Sequence, residues 1–146
     1  MSVTLKPPGS LELPSEQGIL FAGSQLLPIE RCRVADEQEV MAAMANIIIE
    51  TYAMECAALR AQKLVESRGE AACALPIAMT QVYLAQAMDK IEAAARKVTA
   101  AVAEGDMLRT QMAIVRRLSK YEPFNTIAAR QTIANRIIEA GKYVLA

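Results

Sequence analysis

Histidine and tryptophan are both missing from this 146-residue sequence, and aromatic residues make up only 4% of it. Without histidine there is no commonest general base, no commonest haem ligand and no Glu-x-x-His pair of the kind that holds di-iron centres in four-helix enzymes. The scarcity of aromatics counts against a sheet and leaves the core to Ala, Leu, Ile, Val and eight Met, a set that favours closely packed helices. Net charge is absent too, with 16 basic residues against 16 acidic ones, which excludes a nucleic-acid binder with a broad electrostatic footprint. Glycine-rich phosphate loops, Cys-x-x-Cys pairs and a Gly-x-Ser-x-Gly elbow are all missing, so nucleotide and nucleophilic chemistry have no visible seat. No charged segment precedes an apolar one at the N-terminus, and no uninterrupted apolar run approaches the roughly 18 to 20 residues of a membrane span. The three cysteines, Cys32, Cys56 and Cys73, are odd in number and widely spaced, as suits reduced thiols in the cytoplasm, with Cys56 and Cys73 expected in the core.

What is present divides in two. Residues 1–34 hold Pro7, Pro8, Pro14 and Pro28 together with Gly9, Gly18 and Gly23, which disfavours regular helix over most of that stretch. Yet Ile19, Leu20, Phe21, Leu26, Leu27 and Ile29 make it too apolar for a solvated tail. It reads as an arm that either folds over its own domain or docks on another subunit. Residues 35–146 are helical in pattern. Asp36 followed by Glu39 resembles a capping box opening a helix that should run to about Arg68, before Gly69. Its apolar positions Val40, Met44, Ile47, Ile48, Met54 and Leu59, joined by Ile49, Tyr52 and Cys56 on a second side, mark it as the central helix. A second helix should begin near Leu75 or Pro76 and end before Gly105, with Ile77, Leu84, Met88, Ile91, Ala95, Val98 and Val102 as a regular seam. Asp106 is the expected cap of a third helix carrying Leu108, Met112, Val115 and Leu118, which should end before Pro123. Asn125 or Thr126 should cap a fourth, with Ile127, Ile133, Ile137 and Val144 inward.

Short connections between four helical segments imply an all-α, four-helix up-and-down bundle with an irregular N-terminal arm. Glu50, Glu55 and Glu92 could supply carboxylates to a metal or an acid–base reaction, but on bundle helices such groups are ordinarily solvated or paired, and Glu92 has Arg96 four residues on. Met at helical spacing reads first as core and second as the lining for an apolar ligand. Charge is uneven: residues 1–105 carry 9 Lys/Arg and 13 Asp/Glu, residues 106–146 carry 7 and 3. Arg109, Arg116, Arg117, Lys120, Arg130 and Arg136 therefore form the basic set that could meet an acidic protein or an anionic lipid surface.

Three segments carry a family resemblance: IIIETYAMECAALRAQKL from Ile47 to Leu64, AMDKIEAAARKVTAAVAEGDMLRTQMAIVRRL from Ala87 to Leu118, and PFNTIAARQTIANRIIEAGKY from Pro123 to Tyr143. The ordered set of ETYAME, EGDMLRTQ and NTIAAR resembles the C-terminal helical extension of bacterial acyl-CoA dehydrogenases related to the very-long-chain enzymes. The resemblance implies the bundle fold and a habit of packing against other protein surfaces. In that family the extension follows a flavin-binding catalytic domain with a glutamate base. Neither has a counterpart in this sequence, where only the 34-residue arm precedes the bundle.

These readings lead to a chain with no catalytic, cofactor or metal site: a non-enzymatic accessory or assembly subunit bound to other protein subunits of a larger complex, with the sequence leaving open whether that complex is membrane-associated or soluble. The relatives' extension is linked with membrane attachment and, in one mitochondrial member, with assembly of a respiratory complex, which places peripheral membrane contact among the expectations. Contact surfaces would be the arm residues Ile19, Leu20, Phe21, Leu26, Leu27 and Ile29 and the basic set from Arg109 to Arg136. Two alternatives stand beside it: the separately encoded C-terminal part of a split acyl-CoA dehydrogenase, and a helical carrier of an apolar ligand.

Overall fold

The computed structural model describes residues 37–142, and they form an all-α bundle of four helices with no strand among them. They are α1 (Gln38–Arg68), α2 (Ala74–Val102), α3 (Gly105–Leu118) and α4 (Thr126–Ala140), with one 3-10 turn at Ala71–Cys73 between the first two. The arm and its six apolar residues lie outside the described residues, as do Asp36 and Val144.

α1 ends where Gly69 takes a φ of +82°, a conformation that costs glycine little and an L-residue much, and the Gly69 N–H closes the last turn on the Val65 carbonyl. The chain reverses through the 3-10 turn, where Cys73 is buried, and α2 returns antiparallel. The register follows from the contacts: Ile47, Met54 and Ala61 of α1 share one apolar cluster with Leu84, Ala87, Met88 and Ile91 of α2. Ala87 is 0% exposed and Met54 2%, so a small residue on one helix admits the long side chain of the other. α3 runs antiparallel along the C-terminal half of α2, joining Val115 to Ala95. α4 lies beside the N-terminal half of α2, where Ile133 and Ile137 face Met79, Val82 and Tyr83.

The central helix is therefore α2, not α1. Ten α2 residues are buried, including the seam positions Leu84, Met88, Ile91, Ala95 and Val98. Thr99 is among them, and its hydroxyl donates to the Ala95 carbonyl at 2.7 Å. α1 buries only Val40, Met54, Ala58 and Ala61. Ile48 and Leu59, expected inward, are exposed, and so are Ile49, Tyr52 and Cys56. An apolar pattern on two sides of a helix reports two faces able to bury, and the described residues cover only one.

Three further expectations are corrected. Glu104 rather than Asp106 stands at the N-cap of α3, because Gly105 at φ +58° already turns the chain into the helix. Asp106 sits in the first turn, where its carboxylate favours the helix dipole. Ile127 points outward at 68% exposure, leaving Ile133 and Ile137 as the half-buried residues of α4. The run-based exclusion of a membrane span is too strict: both α1 and the stretch Ala71–Val102 contain an 18-residue window apolar enough to cross a bilayer by length and composition. In the second helix this reflects its place in the core; in α1 only 17% of the window is buried, so its apolar excess lies on the bare side.

Candidate interaction surfaces

Between α1 and α2 a polar cluster sits beside the apolar seam. The Glu50 carboxylate accepts from the Tyr83 hydroxyl at 3.1 Å and from Lys90 Nζ at 2.5 Å. Tyr83 and Lys90 are seven residues apart, two helical turns, which puts both on the α2 face that meets Glu50. The Lys90 ammonium holds the Glu50 carboxyl below its ordinary range, while burial and then the Glu50 charge push the Tyr83 hydroxyl above its own. A second polar contact joins the α3–α4 connection to α2: the Tyr121 hydroxyl donates to Asp89 at 2.9 Å. Both contacts fix helix register with every partner satisfied. Glu92 pairs with Arg96 on its own helix as the spacing predicts, so Glu50 and Glu92 both act as ion-pair partners.

Tyr83, Lys90, Asp89 and Tyr121 went unmarked in the sequence because each finds its partner more than thirty residues away, across a helix pair whose register no local spacing reveals. Gln111 is also unannounced. It is 8% exposed on the inner face of α3, and its Oε1 is buried without a hydrogen-bond partner.

The basic residues do not gather on one surface. Arg109 faces Asp106 at 3.4 Å and Arg136 faces Glu139 at 3.9 Å, both exposed pairs on single helices. Arg130 lines the groove between α2 and α4. Arg116, Arg117 and Lys120 do cluster, at the C-terminal end of α3, where positive charge also complements the helix dipole.

Two apolar surfaces stand out. The first is an open groove of about 390 Å³ between α2 and α4, lined by Met79, Val82, Tyr83, Gln86, Arg130, Ile133, Ala134 and Ile137. Elsewhere on α4, Ile127 and Ile138 stand 68% and 76% exposed, eleven residues apart and so on one side of the helix. The second is the outer side of α1, with Met41, Ile48, Ile49, Tyr52 and Leu59.

The family model for the acyl-CoA dehydrogenase C-terminal domain matches residues 17–117, more than half of the chain. The chain belongs to this family. A Bacillus subtilis (strain 168) protein described as a probable acyl-CoA dehydrogenase is 35% identical over 109 residues, which are 75% of this chain and 18% of that protein. The crystal structure of an acyl-CoA dehydrogenase complexed with FAD from Bacillus anthracis superposes with a TM-score of 0.79 and 30% identity, covering 90% of this chain and 22% of that one. The chain thus spans about a fifth of the length of these relatives. In this acyl-CoA dehydrogenase C-terminal domain the groove between α2 and α4 does not suit a flavin. The groove between α2 and α4 offers one cation, Arg130, and one amide, Gln86, among aliphatic and thioether groups, with no cluster of donors for a pyrophosphate.

Proposed function

We propose that this domain is the non-catalytic helical part of an acyl-CoA dehydrogenase, packing against that enzyme's flavin-binding catalytic part. The carrying observation is the asymmetry of coverage: the matched residues are 75% of this chain and 18% of the probable dehydrogenase from B. subtilis. A domain of this kind contributes surface, and α4 supports that role. It buries no residue against the described bundle, while the side chains of Ile127 and Ile138 are exposed on one side of it. A 15-residue helix with so little packing is marginal in isolation, so docking on its outer edge would stabilise it. The cluster Arg116, Arg117 and Lys120 would add attraction to acidic groups of the partner, raising the association rate more than the affinity.

Affinity purification of the native chain from its own cells tests this reading. The expected result is a yellow preparation that contains a flavin-binding part and has acyl-CoA dehydrogenase activity. Recovery of colourless partners without a flavoprotein would replace this reading with that of an accessory subunit of another complex.

A further inference from the structure

The outer side of α1 is an exposed apolar surface that the packing of the described bundle does not explain. Met41, Ile48, Ile49, Tyr52 and Leu59 are between 42% and 66% exposed. Together with Ala45 and Cys56, which are also exposed, they follow steps of four, three, four, four and three from Met41 through Ala45, Ile48, Tyr52 and Cys56 to Leu59. That spacing keeps them on one stripe about 27 Å long, roughly opposite the side that buries Met54, Ala58 and Ala61. A contiguous apolar stripe of this kind marks a surface that is covered in the working protein.

We propose that the stripe is covered by the chain's own residues 19–29, with Ile19, Leu20, Phe21, Leu26, Leu27 and Ile29 packing along α1. The occupant is set by chain connectivity. Glu37 is the N-cap of α1, so the arm leaves at the end of the helix that carries the stripe. Ile29 precedes Glu37 by eight residues, which reach about 27 Å when extended, and Tyr52 lies about 22 Å along the helix from Glu37. That length is enough for a chain turning back at Glu37 to bring Ile29 over Ile48 and Tyr52, and it leaves the apolar residues before Ile29 to reach Leu59, about 33 Å along the helix. The family match supplies a second support: it begins at residue 17, so most of the arm, with all six apolar residues, belongs to the same domain as the bundle. The arm is also tethered beside the stripe, which gives it an effective concentration that a separate partner must compete against. The inference does not depend on the identity of the docking partner, because it concerns α1, whereas the proposed docking edge is on α4.

Cys56 is a built-in reporter, since its thiol lies at the margin of the stripe. In the full chain, the rate of Cys56 modification by a bulky maleimide, resolved by peptide mass mapping, should be at least about tenfold slower than in a variant carrying Leu20→Asp, Phe21→Asp and Leu27→Asp. The protection should not depend on protein concentration. Equal rates in the two proteins overturn the proposal. So does protection that appears only at high concentration, which would assign the stripe to a second copy, or only on adding lipid vesicles or the flavoprotein partner. A second measurement stands even where the triple variant fails to fold: a photoreactive benzophenone side chain in place of Phe21 should cross-link within one chain to peptides spanning residues 45–59. Cross-links formed between chains, or to other parts of the bundle, overturn it as well.

Discussion

α2 and α4 are both regular amphipathic helices of one chain, yet α2 buries ten residues and α4 none. α2 is flanked by α1 along its length, by α3 at one end and by α4 at the other, so its apolar residues are shared among three neighbours. Among the described residues α4 has only α2 to lean on, through Ile133 and Ile137 at the margin of an open groove. The family match ends at residue 117, ahead of α4. The α1–α2 seam should therefore carry most of the global stability, and α4 should open on its own.

The largest expected effect tests the seam. Met54→Ala removes a side chain 2% exposed from the centre of the apolar cluster and should lower the unfolding free energy by roughly 2 to 5 kcal/mol in urea titration. The matching change on α4, Ile133→Ala, acts on a half-buried side chain and should cost about 1 kcal/mol or less. Equal losses would show that the two helices are one cooperative unit and break the comparison.

Next in size is the cap of α4. The Asn125 side-chain oxygen accepts from the Ala128 N–H at 3.0 Å, satisfying one of the free donors of the first turn. Asn125→Ala should destabilise α4 by about 1 kcal/mol. The measurement that sharpens the comparison is amide hydrogen exchange: protection should fall across residues 126–140 and stay unchanged in α2.

A smaller effect separates the polar part of the seam from its apolar part. Glu50 has a lowered carboxyl pKa because Lys90 donates to it, so its contribution is present above the unfolded carboxylate range and is lost as pH falls through the folded value. Tyr83 and Lys90 are shifted upward, so their contribution is present below about pH 10 and is lost as pH rises beyond it. Glu50→Gln should flatten both limbs of the stability-against-pH curve while changing neutral-pH stability by about 1 kcal/mol or less. An unchanged acid limb would place the acid sensitivity elsewhere.

Much of this architecture is legible before any coordinates. The end of α1 at Gly69, the seam from Leu84 to Val98, the Asn125 cap and the Glu92–Arg96 pair all rest on spacings within one helix, and local chemistry settles them. The rank of the helices is not legible in the same way. α1 and α2 both carry apolar residues beyond one face, and only the packing shows that α2 is surrounded while α1 keeps Ile48, Ile49 and Tyr52 bare. Ile127 misleads for a related reason: an isoleucine in a first turn fits an inward or an outward phase, and the groove to α2 selects Ile133 and Ile137. The candidate surfaces are less legible still, because pairs such as Glu50 with Tyr83 and Lys90, and Asp89 with Tyr121, exist only through the register of antiparallel helices.

The smallest expected effect on stability bears most directly on function. Ile138 is 76% exposed, so Ile138→Lys removes almost no buried area and should leave the unfolding free energy of the isolated domain within about 0.5 kcal/mol of the parent. An outward edge that exists to dock should behave otherwise in the complex. There the lysine must either leave its ammonium unpaired in an apolar contact or push the surfaces apart, so recovery of the flavoprotein with the variant should fall at least about tenfold. Exchange protection of residues 126–140 should rise on binding for the parent and not for the variant. If Ile138→Lys captures the partner as well as the parent does, the outer edge of α4 is a solvated face, and docking must be sought at the basic end of α3.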